Sequence, residues 1–129
     1  MDSSIGNILV SKLRDRVYVE RLIEDGTLLL LPFSDLRGFD TNGMKACIYI
    51  TEAQNLDKYL IKLALQRIGE DCSAIIEGDD QGQVDLSLYS GTNNGMKRAI
   101  EVFKGQDIFG TVQLKNIYRS KIAKIADNI

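Results

Sequence analysis

The sequence of 129 residues contains no histidine, a single proline, two cysteines and no long apolar run. The absence of histidine excludes Ser-His-Asp and Cys-His catalysis and most zinc sites. The longest apolar run, near residues 28–31, is far too short to span a bilayer, and no basic stretch followed by an apolar one begins the chain. Cys47 and Cys72 have no CxxC spacing, which favours reduced, unligated thiols. These absences predict a cytoplasmic protein without a membrane segment, whose chemistry depends on carboxylates, amides, lysines, arginines and tyrosines.

The composition is that of one folded domain, with 44% hydrophobic and 26% charged residues. A chain of this length can bury about two thirds of the surface that its unfolded form exposes. The net charge of −2 lacks the basic bias that phosphate contacts require. We therefore expect a single domain over residues 1–129 that does not bind nucleic acid by itself.

The N-terminal quarter of the sequence fits two interpretations. After Ser4, apolar residues recur at helical spacing from Ile8 to Ile23, and Asp25-Gly26 would end such a helix. The alternative is a hairpin in which residues 16–24 form a strand that turns at Asp25-Gly26. We favour the helix. In either case residues 27–31 have the pattern of a buried strand, ended by Pro32 or left at an edge.

Short apolar runs after this point predict strands. Residues 46–50 have the pattern of a parallel strand buried on both faces, residues 73–76 predict a second strand, and residues 111–114 are a third candidate. Polar residues make 33–45 a loop of unusual length.

Helical patterns lie between the predicted strands. Residues 56–68 are apolar on nearly every side, so this helix should be largely buried. Helical spacing recurs from Met96 to Phe103, with Gly105 as a stop, and again from Ile122 to the end. Strands that alternate with helices predict an α/β fold, a mostly parallel sheet flanked by helices, with ligands at the carboxyl ends of the strands.

Two of the predicted strands end in acidic residues. Residues 46–50 run into Thr51-Glu52, and residues 73–76 run into Glu77-Gly78-Asp79. In a parallel sheet these ends would lie side by side. Strand-end carboxylates beside a phosphate site can hold Mg²⁺ and polarise an attacking water. Taken singly, each carboxylate is more often a solvated turn or helix-capping group.

In their order along the chain, these motifs resemble the PhoH family, phosphate-starvation-inducible P-loop ATPases related to superfamily-one helicase cores. The Walker B signature of that family, apolar residues followed by Asp-Glu-Ala-Gln-Asn, is similar to residues 47–55, Cys-Ile-Tyr-Ile-Thr-Glu-Ala-Gln-Asn. The resemblance runs from about Leu22 to the C-terminus. Its further matches, in family order, are Arg37-Gly38, Gly78-Asp79, Gln83-Val84-Asp85-Leu86, Asn94-Gly95 and Tyr118-Arg119-Ser120.

The resemblance implies a partial P-loop NTPase core of the RecA and helicase type, and it implies roles for single residues. Glu52 would be the catalytic carboxylate that orients the attacking water. Asp79 and Gln83 would sense the γ-phosphate and its metal. Arg119 would place its guanidinium fork on a phosphate, in its own site or in a neighbouring subunit of a ring. A surface arginine is the alternative for Arg119.

The same resemblance implies which residues contact ATP and Mg²⁺. Gln54 would shape the loop beside the nucleotide, and Thr51 and Glu52 would hold Mg²⁺ through water. Arg37 is a phosphate or interface candidate for which an ordinary surface role is the stronger interpretation.

Two substitutions depart from the family pattern. Thr51 stands where the family has an aspartate that holds Mg²⁺, and its hydroxyl supplies no negative charge, so weaker metal affinity is expected. Gln83 lies four positions after Asp79, where the family spacing is three, so this insertion shifts the register of the sensor motif.

The sequence contains no G-x-x-x-x-G-K-[ST] phosphate-binding loop, or Walker A motif. Without its backbone amides and lysine, the β- and γ-phosphates have no cradle. We therefore expect the C-terminal half of a PhoH-like ATPase core, inactive alone and dependent on a complementary Walker A half or a homo-oligomer. The alternative is a stand-alone degenerate module that keeps the fold and serves in binding or assembly. RNA is a further candidate partner in the full-length family context.

Overall fold

A computed structural model of the chain describes residues 4–79, 94–116, 118–126 and 128–129. Within these residues the chain has the α/β organisation that the sequence predicts. The strands are β1 (Cys47–Ile50) and β2 (Ser73–Ile76). The α-helices are α1 (Ser4–Leu13), α2 (Arg16–Glu24), α3 (Lys58–Leu65), α4 (Gly95–Phe103) and α5 (Lys121–Ala126), and short 3-10 helices span Phe33–Gly38 and Ala53–Asn55.

The two strands pair in parallel, with Cys47 opposite Ser73 and Ile50 opposite Ile76, and α3 lies in the connection between them. Side chains alternate between the faces of a strand. Ile50 is buried in the core, whereas Tyr49 is 57% exposed. The prediction that this strand is buried on both faces is therefore wrong, because the core within the described residues covers one face only.

The core lies around the carboxyl end of β1. Its buried members come from the end of β1, the turn that follows, α3, α4 and the first 3-10 helix: Leu36, Ile50, Ala53, Leu56, Ile61, Ala64 and Met96. The acidic strand ends thus lie directly beside this core.

The predicted N-terminal helix is present but broken into two. Arg14 has a positive φ of 54°, which no helix interior accommodates. Asp15 then caps the start of α2, because its carboxylate accepts a hydrogen bond from Tyr18 N at 2.9 Å. Since residues 16–24 are helical, the hairpin interpretation is wrong. Beyond α2, hydrogen bonds from the Thr27 hydroxyl and N–H hold the pKa of the Asp25 carboxyl below its ordinary value.

Two predicted strands are not strands. Residues 27–31 and 111–114 have no ladder partner among the described residues, and Leu29 and Val112 are 58% and 89% exposed. An apolar run becomes a strand only where a neighbouring strand takes up its backbone hydrogen bonds.

Helix α3 is shorter and less buried than its sequence predicts. Asp57 caps its start by accepting from Leu60 N at 2.8 Å. Ile61 and Ala64 are buried, but Tyr59 is exposed, so the helix presents one apolar face and one solvated face.

The polar stretch 33–45 contains the first 3-10 helix and is tied to the end of α3. The hydroxyl of Thr41, which is 1% exposed, donates to Arg67 O at 2.6 Å and accepts from Gly69 N at 2.8 Å. Further along the chain, α4 confirms the predicted helix, and Gly105 follows it with a φ of +86°. Among the described residues, no helix is long and apolar enough to cross a membrane.

Candidate functional site at the carboxyl ends of the two strands

The ends of β1 and β2 lie side by side, as the sequence predicts. Glu77 N donates to Ile50 O at 2.8 Å, and Ala53 N donates to Glu77 O at 3.0 Å. These bonds continue the pairing past the last residue of each strand. They join the Thr51-Glu52 segment to Glu77-Gly78-Asp79.

Glu52 has an unusual backbone conformation. Its φ of 54° and ψ of 37° place it in the left-handed region, where a residue other than glycine is uncommon. The turn is closed by Asn55 N, which donates to Glu52 O at 3.0 Å. Strained residues of this kind concentrate at functional sites, and this one carries an exposed carboxylate at the strand end.

The side chain of Gln54 connects the two strand ends. It is 5% exposed, and its Nε2 donates to Glu52 Oε2 at 2.6 Å. Its Oε1 accepts from Asp79 N at 3.0 Å. One buried amide therefore holds the carboxylate after β1 and the backbone after β2 at the same time.

Gly78 lets the end of β2 approach Gln54 this closely. A Cβ at this position would lie 2.8 Å from Gln54 Oε1, 3.0 Å from Gln54 N and 2.6 Å from Met96 Sδ. Contacts this short require the neighbours to move. The Gly-Asp pair after β2 is thus a packing requirement as well as a match to a motif.

Asn94 and Gly95 attach the start of α4 to the same turn. The buried side chain of Asn94 donates from Nδ2 to Gln54 O at 3.0 Å and accepts from Lys97 N at 2.9 Å. Gly95 N donates to Leu56 O at 2.7 Å. The sequence reasoning gave Asn94 no role at the site. Asparagine ahead of a helical pattern is a capping signal that could have indicated it.

Of the other predicted site residues, Thr51 lies beside these strand ends, and Arg37 and Arg119 lie in other segments of the chain. Thr51 follows β1 directly and is partly exposed. The guanidinium of Arg37 contacts Tyr59 of α3, with Nη2 donating to the hydroxyl at 3.1 Å and Cζ 5.9 Å from the ring centroid. Arg119 lies in the exposed segment before α5. Gln83 lies outside the described residues.

The described residues contain no group of three or more acidic or thiol side chains that could hold a metal ion. Cys47 and Cys72 are free thiols, and Cys72 Sγ lies 3.3 Å from Met44 O. The site is therefore built from single carboxylates and amides.

Comparison with known proteins decides the family. The family model for the PhoH-like protein matches residues 4–129, nearly the whole chain. The chain belongs to the PhoH-like family. Its P-loop NTPase fold agrees with the parallel pairing of β1 and β2 and with the helices around them.

Relatives in several bacteria support this assignment. The chain is 39% identical to protein PhoH2 of Bacillus subtilis over 82 residues, 64% of this chain and 18% of that protein. It is 30% identical over 107 residues to protein PhoH2 of Thermobispora bispora, 83% of this chain and 24% of that protein. It is 32% identical over 90 residues to protein PhoH of Escherichia coli, 70% of this chain and 24% of that protein. The chain thus spans a quarter or less of the length of these relatives. No solved structure matches it significantly.

Proposed function

We propose that this PhoH-like chain supplies the Walker B and sensor side of an ATP-hydrolysing site. The observation that supports the proposal most is the hydrogen bonding of Gln54, which holds Glu52 and Asp79 together where the two parallel strands end. Ligands of open α/β sheets bind at this edge. Phosphoryl transfer depends on positioning and electrostatic stabilisation, which such an arrangement can provide.

In the proposed mechanism, Glu52 orients the attacking water and takes its proton. Its carboxylate is exposed, so a water can reach it. Asp79 and Gln83 respond to the γ-phosphate, and Arg119 offers a planar pair of donors that suits phosphate oxygens. Thr51 and Arg37 are the weaker contributors to nucleotide binding in this scheme.

The residues near Glu52 fit a magnesium ion most of whose ligands are phosphate oxygens and water molecules. Mg²⁺ commonly takes one or two protein carboxylates and keeps several waters. Glu52 supplies one carboxylate and Thr51 a neighbouring hydroxyl. When bound, the ion would neutralise charge on the phosphates.

The phosphate-binding loop must come from another polypeptide segment or subunit in this proposal, because the 129 residues contain none. The sheet leaves room for such a partner. Tyr49 and Ile75 are opposite each other on one face and are 57% and 52% exposed, whereas parallel sheets are normally covered on both faces. A Walker A half or a second copy of the chain could cover this face. RNA remains a candidate partner of a longer protein. We also propose a cytoplasmic location, because two free cysteines are typical of a reducing compartment.

The proposal is tested by joining the chain to a phosphate-binding half. We expect no ATP turnover by the isolated chain, since half of the site cannot position the phosphates. A chimera in which this chain replaces its matching segment in Bacillus subtilis PhoH2 should hydrolyse ATP in a steady-state phosphate-release assay. Turnover by the isolated chain, or a folded chimera that binds ATP without hydrolysing it, would contradict the proposal.

Replacing Thr51 by aspartate in that chimera should restore the acidic residue of the family pattern. We expect Thr51→Asp to raise turnover at limiting Mg²⁺, because an added carboxylate strengthens binding of the ion. A gain of about 1.4 kcal/mol in binding free energy raises the apparent affinity for Mg²⁺ roughly tenfold. Initial rates across a magnesium titration measure the effect. Ser73→Asp, at the opposite end of the sheet, is the control. An unchanged magnesium dependence would place Thr51 away from the metal.

A degenerate module for binding or assembly is the second candidate. The absence of an acidic residue at Thr51 and the uncovered sheet face favour it. This alternative predicts association with a partner and no gain of hydrolysis in the chimera.

A further inference from the structure

Every polar group of the Gln54 side chain has a partner within the protein. Nε2 donates to the Glu52 carboxylate, and Oε1 accepts from Asp79 N. The backbone carbonyl of the same residue accepts from Asn94 Nδ2. With 5% of its surface exposed, Gln54 has little area left for a nucleotide.

The carboxylate of Glu52 depends on this amide. Within the described residues, the 2.6 Å bond from Gln54 Nε2 is the hydrogen bond that restrains it. The side chain of Glu52 is exposed, so without this bond it would sample several rotamers. A displacement of 1 Å at a catalytic group can reduce turnover by about 100-fold.

The side chain of Gln54 is also bonded to the segment that follows β2. Asp79 N reaches Gln54 Oε1 at 3.0 Å, and the missing side chain of Gly78 leaves the space for that approach. The amide plane of Gln54 is rigid, so a shift of the Gly78-Asp79 segment changes the direction of the donor that faces Glu52.

We infer that Gln54 is a positioning residue that couples Glu52 to the Gly78-Asp79 segment, so that the water-activating carboxylate is aligned only when the end of β2 is in place. Asn94 holds the backbone of Gln54 from the start of α4 and completes the arrangement. This inference rests on the proposed function, and it assigns to Gln54 an action through Glu52 in place of a contact with the nucleotide.

The test is Gln54→Met in the PhoH2 chimera. Methionine keeps the length of the side chain and removes both the donor and the acceptor. We expect kcat to fall by roughly 10- to 100-fold while the KM for ATP stays unchanged, because alignment of Glu52 is lost and nucleotide contacts are not. In the isolated chain, hydrogen exchange at the Asp79 amide should become faster. Gln66→Met, on an exposed residue after α3, is the matched control.

Gln54→Glu separates the two hydrogen bonds. At a pH where both carboxylates are ionised, it keeps an acceptor for Asp79 N, and it replaces the donor to Glu52 by a second negative charge that repels the Glu52 carboxylate. We expect a lowered kcat with the Asp79 amide still protected. This variant also tests the inference if Gln54→Met does not fold, which circular dichroism would reveal.

Three results overturn the inference. The first is an unchanged kcat in both variants. The second is a raised KM with unchanged kcat, which would show that Gln54 contacts ATP directly. The third is unaltered hydrogen exchange of the Asp79 amide in a folded Gln54→Met chain. Failure of the proposed function gives a different result. In that case the chimera does not respond to loss of the Glu52 carboxylate, whereas the hydrogen exchange of Asp79 still responds to Gln54.

Discussion

Replacing Glu52 by glutamine in the PhoH2 chimera should lower kcat by about 10²–10⁴-fold, the range that a positioned acid–base group contributes. Glutamine keeps the length of the side chain, and its Oε1 can still accept the hydrogen bond that Gln54 Nε2 gives to the carboxylate. The substitution therefore removes the proposed proton acceptor and leaves the arrangement of the strand ends intact. At saturating Mg²⁺ the KM for ATP should stay within about twofold, since the phosphate-binding half of the chimera makes the main contacts with the phosphates.

The matched control is Glu70→Gln, which changes an exposed glutamate in the turn before β2. It removes the same charge without touching the strand ends, and we expect wild-type turnover. Steady-state kinetics at saturating Mg²⁺ compare the two variants. Equal losses in both variants would indicate a general charge effect, and equal retention of activity would show that Glu52 is not the water-orienting carboxylate.

Replacing Gly95 by alanine should destabilise the chain by about 1–3 kcal/mol, the usual cost of forcing a methyl group into a packed site. Alanine ordinarily stabilises a helix relative to glycine by about 0.5–1 kcal/mol. Here the added Cβ would lie 2.8 Å from Leu56 O and even closer to the carbonyl of Asp57. Both contacts are with backbone atoms, which cannot turn aside as a side chain can. The steric cost therefore outweighs the gain in helix propensity.

Urea unfolding followed by circular dichroism measures this difference. Gly110→Ala is the control, because a Cβ there meets no atom within 4 Å. If Gly95→Ala unfolded at the wild-type urea concentration, the close approach of α4 to the turn after β1 would be contradicted. Because Asn94 precedes Gly95 and holds Gln54, the same substitution should also reduce turnover of the chimera.

The strand-end motifs were accessible from sequence because they depend on local patterns. Short apolar runs followed by Thr51-Glu52 and by Glu77-Gly78-Asp79 indicate two strands with acidic ends, and parallel pairing then places those ends together. The family was accessible for the same reason, since its signature is a short contiguous string. The prediction of one uninterrupted N-terminal helix was wrong, because the spacing of apolar residues carries no information on the positive φ of Arg14.

The strands predicted at residues 27–31 and 111–114 show the limit of local patterns. An apolar run has the propensity to be a strand, but a ladder requires hydrogen-bonding groups on a neighbouring chain segment. The described residues supply that neighbour for β1 and β2 and not for these two runs. In the same way, periodicity predicts that Tyr49 belongs to a buried strand, whereas the structure leaves it more than half exposed.

The sequence by itself determined the family, the pair of strands and the acidic residues at their ends, because contiguous motifs and apolar periodicity carry that information. Only the tertiary structure decided how those residues act on one another. It showed that Gln54 joins Glu52 to Asp79 N, that Gly78 makes room for this bond, and that Asn94 holds Gln54 from 40 positions away in the chain. Such contacts depend on distances between segments remote in sequence, and no local pattern encodes them.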